Sequence, residues 1–262
     1  MSERTLEHFL SRGEIRRKDA AELRWSHAVN SRGKLEDALT GSTHMLEADV
    51  IIRGCDPKEP VMAHPPDTDS DITLKEWLEE VKMQHRGIKL DFKSLEAVSP
   101  SVVLLEEVFP ELKCPVWVNA DILPGPGGQA TPLEPQSFLA AISSLSSDIV
   151  LSLGWTTGWT AGRDNPGYSW DMVHLMEKIC RNLISPVTFP VRAALLVQSL
   201  SQLTWLLQQS DRFSLTVWSN LDDTFTQQEL LMCRKHFDIC RIYYDLPDCQ
   251  STVLRQAEES GL

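Results

Sequence analysis

A (β/α)8 TIM-type barrel is the fold this sequence predicts, on three observations. Strand-like and helix-like stretches alternate eight times from Leu23 onward, the pattern of parallel strands joined by crossover helices. No GxGxxG follows the first strand, so nothing favours the doubly wound open sheet that competes with a barrel. No linker, internal repeat or low-complexity run breaks the alternation, so 21–262 reads as one α/β barrel domain behind a helical or loose lead-in at 1–20.

The elements follow in order. Leu23 to Asn30 is the first strand, with Trp25, His27 and Val29 on one face. Ser31 to Thr40 forms a short helix with Leu35, Ala38 and Leu39 inward, stopped by Gly41. The second strand spans 45–53 and turns at Gly54, Asp56 and Pro57 to return through Val61 and Met62 to His64. Thr73 caps a helix in which Leu74, Trp77, Leu78 and Val81 recur at helical spacing. In the third strand, 87–93, Ile88, Leu90 and Phe92 alternate with Lys89, Asp91 and Lys93, as in a half-exposed surface strand or in a barrel strand lining a charged pocket; in the barrel the charges line the cavity and the apolar residues face the helices. A helix at 95–108, a strand at 116–123 and a Gly- and Pro-rich loop fit for a site rim come next. Strands at 148–154, 187–196, 213–219 and 238–246 then alternate with helices at 136–145, 168–182, 201–209 and 226–237, and a last helix begins near Ser251.

Composition narrows the partners. The formal charge is -12, which excludes nucleic acid or an anionic membrane surface as a general partner, since both reward positive charge. No apolar run approaches the ~18 residues of a membrane span. The charged N-terminus lacks a signal-peptide core, which points to a cytoplasmic protein. The six cysteines show no CxxC and no zinc-like spacing, so they read as mostly reduced thiols.

The candidate site lies on three consecutive strands. Glu47 and Asp49 are two residues apart and share a face, His64 returns close to them, His27 ends the first strand, and Asp91 and Lys93 end the third. In a barrel these all fall at the C-terminal mouth. Glu47, Asp49 and Asp91 give three oxygen donors for one divalent cation, Mg²⁺ or Ca²⁺. His27 and His64 flank it as general acid and base because imidazole titrates near neutrality. His27 is expected nearer the attacking hydroxyl and His64 nearer the leaving group. Lys89 and Lys93 either neutralise a phosphate or pair with the carboxylates. Asn119 and Asp121 share a face near the end of the fourth strand and either reach metal or substrate or cap a turn. Arg192 faces the pocket from a later strand, and Trp155, Trp218 and Tyr244 either wall it or belong to the core.

The pattern of His27, Glu47-Ala48-Asp49, His64 and Asp91-Phe92-Lys93 resembles the glycerophosphodiester phosphodiesterases of the phospholipase C-like superfamily. More closely, WSHAVNSRGKLEDAL, LEADVIIRG, MAHPP and GIKLDFKS are similar to the menorin-domain family, also called family with sequence similarity 151, and to its B-type branch. The resemblance covers nearly the whole chain. It implies a phospholipase C-like phosphodiesterase barrel, and metal-dependent attack on a glycerophosphodiester or lipid-like phosphodiester with two histidines moving protons. The chain departs from the phosphodiesterases beside both histidines, with Ala28-Val29 in place of Arg-Gly and Pro65-Pro66 where an Asp follows the second. Menorin-domain proteins also act in extracellular recognition, which implies a second reading: a catalytically silent barrel that binds a protein partner outside the cell.

Overall fold

The computed structural model describes residues 4–247, 249–251 and 254. Its sheet runs β1 (Trp25–Ser26), β2 (Met45–Ile52), β4 (Gly87–Phe92), β5 (Val116–Pro124), β6 (Val150–Thr156), β7 (Val187–Arg192), β8 (Phe213–Trp218) and β9 (Ile242–Asp245), each strand parallel to the next. The short β3 (Pro60–Met62) pairs antiparallel with the end of β2. Helices α2 (Arg32–Thr40), α3 (Leu74–Lys82), α4 (Leu95–Val108), α5 (Pro135–Ala141), α6 (Trp170–Cys180), α7 (Leu200–Gln208) and α8 (Gln227–His236) fill the crossovers. This is the expected barrel.

Alternation along each strand sorts its residues into two layers. Leu46, Ala48 and Val50, then Ile88, Leu90 and Phe92, then Val118, Ala120 and Ile122 join the large apolar cluster under the helices. The residues between them point inward. At the N-terminal end of the barrel the inward residues are apolar: Trp25, Met45, Trp117, Val150 and Tyr243 pack with Leu6 and Phe9 from α1 (Arg4–Ser11). Residues 4–11 are therefore a packed helix, and α1 closes the bottom of the barrel. Midway, small polar groups satisfy one another, as in the 2.7 Å hydrogen bond between the Thr188 and Thr216 hydroxyls. These short side chains leave the upper half hollow.

Three strands depart most from the expected boundaries, while β6 is shifted by two residues to Val150–Thr156. β1 holds only Trp25–Ser26, because Ala28 takes a φ of 53° and its backbone N–H turns to the Glu47 carboxylate at 2.8 Å. Leaving the left-handed region to a non-glycine residue costs free energy, so tertiary contacts hold this turn. β7 ends at Arg192 and gives way to 3₁₀ turns at Ala193–Leu195 and Val197–Ser199. β9 begins only at Ile242. The final helix expected near Ser251 lies mostly outside the described residues; 249–251 and 254 are helical.

Candidate functional site

Strand register builds the site. Glu47 stands beside Lys89 and Asp49 beside Asp91 across β2 and β4. Asp91 stands beside Asn119 across β4 and β5, and Asn119 beside Ser152 across β5 and β6. Asp49, Asp91 and Asn119 thus form one inward row on three adjacent strands, with Glu47 a step below. Asn119 donates to Asp91 Oδ1 at 2.7 Å and accepts from the Ser152 hydroxyl at 2.5 Å, which fixes its amide orientation. Asn30, from the loop after β1, donates to Asp49 Oδ2 at 2.7 Å.

All nine residues expected to form the site line a single cavity of about 290 Å³ at the C-terminal mouth: His27, Glu47, Asp49, His64, Lys89, Asp91, Lys93, Asn119 and Arg192. Of the weaker candidates, Asp121 and Trp218 line it as well. Trp155 and Tyr244 do not. Both are buried in the cluster beneath the helices, since they sit on the outward face of their strands. The Gly-rich loop after β5 supplies Ala130 to the rim. It lies tight on the end of β6, where a Cβ on Gly128 would meet the Thr156 carbonyl oxygen at 2.3 Å.

Carboxylate oxygens of Glu47, Asp49 and Asp91 all lie within 4.8 Å of one another. Three hard oxygen donors so close fit Mg²⁺ or Ca²⁺. Their electrostatics fit as well: burial, with Asp49 nearby, pushes the Glu47 carboxyl up to about 7 although His27 opposes the shift, and a cation in the group would relieve that repulsion. Lys93 Nζ lies 2.9 Å from Asp49 and 2.6 Å from Asp91. Desolvation works against its charge, yet these carboxylates keep Lys93 firmly protonated. The group of His27, Glu47 and Asp245 also converges, but the imidazole and the Lys89 ammonium already occupy Asp245.

His27 Nδ1 lies 3.1 Å from Glu47 Oε2 and 3.2 Å from Asp245 Oδ1. Carboxylates accept, so Nδ1 carries the hydrogen and Nε2 remains for chemistry. The Glu47 charge raises His27 to about 10 against the opposing effect of burial, with Asp245 adding to the rise. His64 is exposed, and its Nδ1 is 2.6 Å from the Pro65 carbonyl oxygen, so it too offers Nε2.

Two residues of this network escaped the sequence reading. Asp245 ends β9, fully buried, and joins His27 to Lys89 Nζ at 3.2 Å across the seam between the first and last strands. It follows Tyr243 by two positions, so the alternation that exposed Glu47 and Asp91 could have found it. Asp223, in the loop after β8, binds Arg192 through Nε at 2.8 Å and through Nη2. No sequence spacing announces that pairing. Arg192 also lies over the Trp218 ring, 5.4 Å from its centroid.

Residues 19–251 match the family model described as the Menorin N-terminal domain. Protein FAM151B of Homo sapiens is 50% identical over 258 residues, covering 98% of this chain and 94% of that protein. Among solved structures, a glycerophosphoryl diester phosphodiesterase from Parabacteroides distasonis has a TM-score of 0.54 and 12% identity, covering 91% of this chain and 86% of the other. At that identity the likeness speaks for the barrel alone.

Proposed function

Because the chain belongs to the menorin family and folds as a glycerophosphodiesterase-like barrel, we propose that it is a metal-dependent phosphodiesterase acting on a glycerophosphodiester or phospholipid-type diester. One observation supports this above the rest. The β2–β4–β5 register gathers Glu47, Asp49, Asp91 and Asn119 beside His27 at the mouth where barrel enzymes work.

Glu47, Asp49 and Asp91 would hold the cation. When bound, it neutralises charge on the phosphodiester and on the transition state. Lys93, Lys89 and Arg192 add positive charge along the cavity, and Asn119 adds an amide in a fixed orientation. A hydroxyl or water attacks phosphorus and gives its proton to one imidazole as the new P–O bond forms. The other imidazole returns a proton to the departing oxygen as the old P–O bond breaks. Asp245 and Glu47 hold His27 at Nδ1, which directs Nε2 to this work. With the charge that keeps His27 protonated offset by a cation held at Glu47, His27 serves the attacking oxygen and His64, on its short return strand, the leaving one.

A screen of glycerophosphodiesters, lysophospholipids, sphingomyelin and a nitrophenyl phosphodiester, with Mg²⁺ or Ca²⁺ added, tests the proposal. Turnover should vanish in His27→Ala on every substrate. His64→Ala should retain more activity on the nitrophenyl ester, whose oxygen departs without much protonation. Turnover that survives both variants would overturn the mechanism.

One observation favours a second reading, a silent barrel that binds a protein partner. The Lys93 ammonium bridges Asp49 and Asp91 and so gives the carboxylates an internal counter-charge. Failure of every diester in the screen would promote that reading.

A further inference from the structure

The wall of the cavity away from the metal-binding row has its own chemistry. Asp121 stands two residues beyond Asn119 on the same face of β5, about 7 Å further up the strand. Its neighbour across β6 is Gly154. A Cβ there would lie 2.4 Å from Asp121 Oδ1 and 2.8 Å from Pro190 Cγ, so the absence of a side chain lets the carboxylate lie over β6 toward the cavity. The Asp121 carboxylate has no hydrogen-bond or ion-pair partner among the described residues, unlike those of Glu47, Asp49, Asp91 and Asp245. Burial, reinforced by Asp91, raises its pKa to about 7. The carboxyl is half-buried at the cavity wall, and a carboxyl drawn this far from water without a partner favours a ligand that supplies hydrogens.

The rest of that wall disfavours a second anion. Arg192 has Nε and Nη2 taken by Asp223, and its face is laid on Trp218. Lys93 and Lys89 are held by Asp49, Asp91 and Asp245. The carboxylate that remains asks for a donor, and a charged donor best of all.

We propose that Asp121 selects the alcohol portion of the substrate: phosphodiesters whose alcohol carries an ammonium group, or failing that a hydroxyl, two or three carbons from the phosphate. This rests on the phosphodiesterase reading and deepens it. With the phosphate held beside Lys93 by the cation that Glu47, Asp49 and Asp91 would bind, such an arm would extend up β5 to Asp121. Gly154 is the accomplice, since any larger residue displaces the carboxylate.

Calorimetric titration of the full chain with Mg²⁺ tests this by binding alone, using phosphoethanolamine, glycerol 3-phosphate and propyl phosphate. The expected order of affinity is the order just given, with about tenfold between first and last. Asp121→Asn should remove the advantage of phosphoethanolamine and leave propyl phosphate within twofold. Gly154→Ala, which keeps every charge, should compress the series in the same way. Equal affinities in the wild type, or variants that weaken all three alike, would overturn the role of Asp121 while leaving the phosphate site intact. Binding of none of the three would instead remove the phosphodiesterase reading and this one with it.

Discussion

Asp245→Asn is the sharpest probe of how this cavity is held together. The aspartate is fully buried and accepts from Lys89, itself 3% exposed, and from His27. Burial alone would raise its pKa, but the His27 and Lys89 charges bring it down to about 2. Asparagine keeps the shape and an acceptor for His27 but removes the ion-pair partner of the Lys89 ammonium, with Glu47 and then Asp91 the remaining carboxylates acting on it. Removing one partner of a buried pair costs roughly 3–5 kcal/mol. Since Glu47 still offsets part of the charge, the lower end, about 3 kcal/mol, is expected, or a loss of about 6–12 °C in Tm for a chain of this size.

Urea unfolding in a chelating buffer measures this without interference from divalent ions. Lys89→Met combined with Asp245→Asn removes both charges and should recover at least half of the loss, because a buried pair can be replaced by neutral groups at little cost. The pH dependence has a definite sign. The folded pKa lies below the unfolded value of about 3.9, so the stabilisation is complete above that value and disappears as pH falls toward the folded one. The gap between wild type and Asp245→Asn should stay constant from neutral pH down to about 5 and close below about 4. A single variant that loses under about 1 kcal/mol, or a double variant less stable than the single, would refute the network as drawn.

Two further outcomes follow from the same structure. Adding Mg²⁺ or Ca²⁺ at about 100 times its Kd should stabilise the chain by about 2.7 kcal/mol, or about 5–10 °C, and Asp49→Asn should abolish most of that rise; an unchanged melting curve in wild type would remove the cation from the site. His44, buried and accepting a hydrogen bond at Nδ1 from the Arg24 backbone N–H, has its pKa lowered to about 4 by burial first and by the Arg24 charge second; its folded value lies below the unfolded one of about 6.5, so stability should fall by up to about 3 kcal/mol between those two pH values, and His44→Gln should flatten that slope.

Much of the barrel was legible because parallel strands in a barrel obey a simple rule. Ile88, Leu90 and Phe92 against Lys89 and Asp91 sort into an apolar face and a charged one, which in a barrel become outward and inward, and β4 is built that way. Boundaries were harder. WSHAVN has the composition of a longer strand than Trp25–Ser26, and what ends it is the Glu47 carboxylate pulling on the Ala28 N–H, a contact made 19 residues away in sequence. Such a cause is invisible to local propensity.

The site divides along the same line. Residues presented by consecutive strands could be read from spacing, because register converts sequence distance into spatial rows. Asp245 could not be joined to His27 in that way: the two meet only where the last strand returns to the first, 218 residues apart. Closure of the barrel is thus part of the chemistry. β1 and β9 share no strand pairing, so the carboxylate of Asp245, gripping His27 from one side and Lys89 from another, ties together the seam on which the imidazole stands. His27 follows a strand of only two residues, and without Asp245 the Glu47 carboxylate would hold its ring from one side only. The fold therefore sets the position of His27 through Glu47 on the neighbouring strand and, across the seam, through the contact that the order of the sequence hides best.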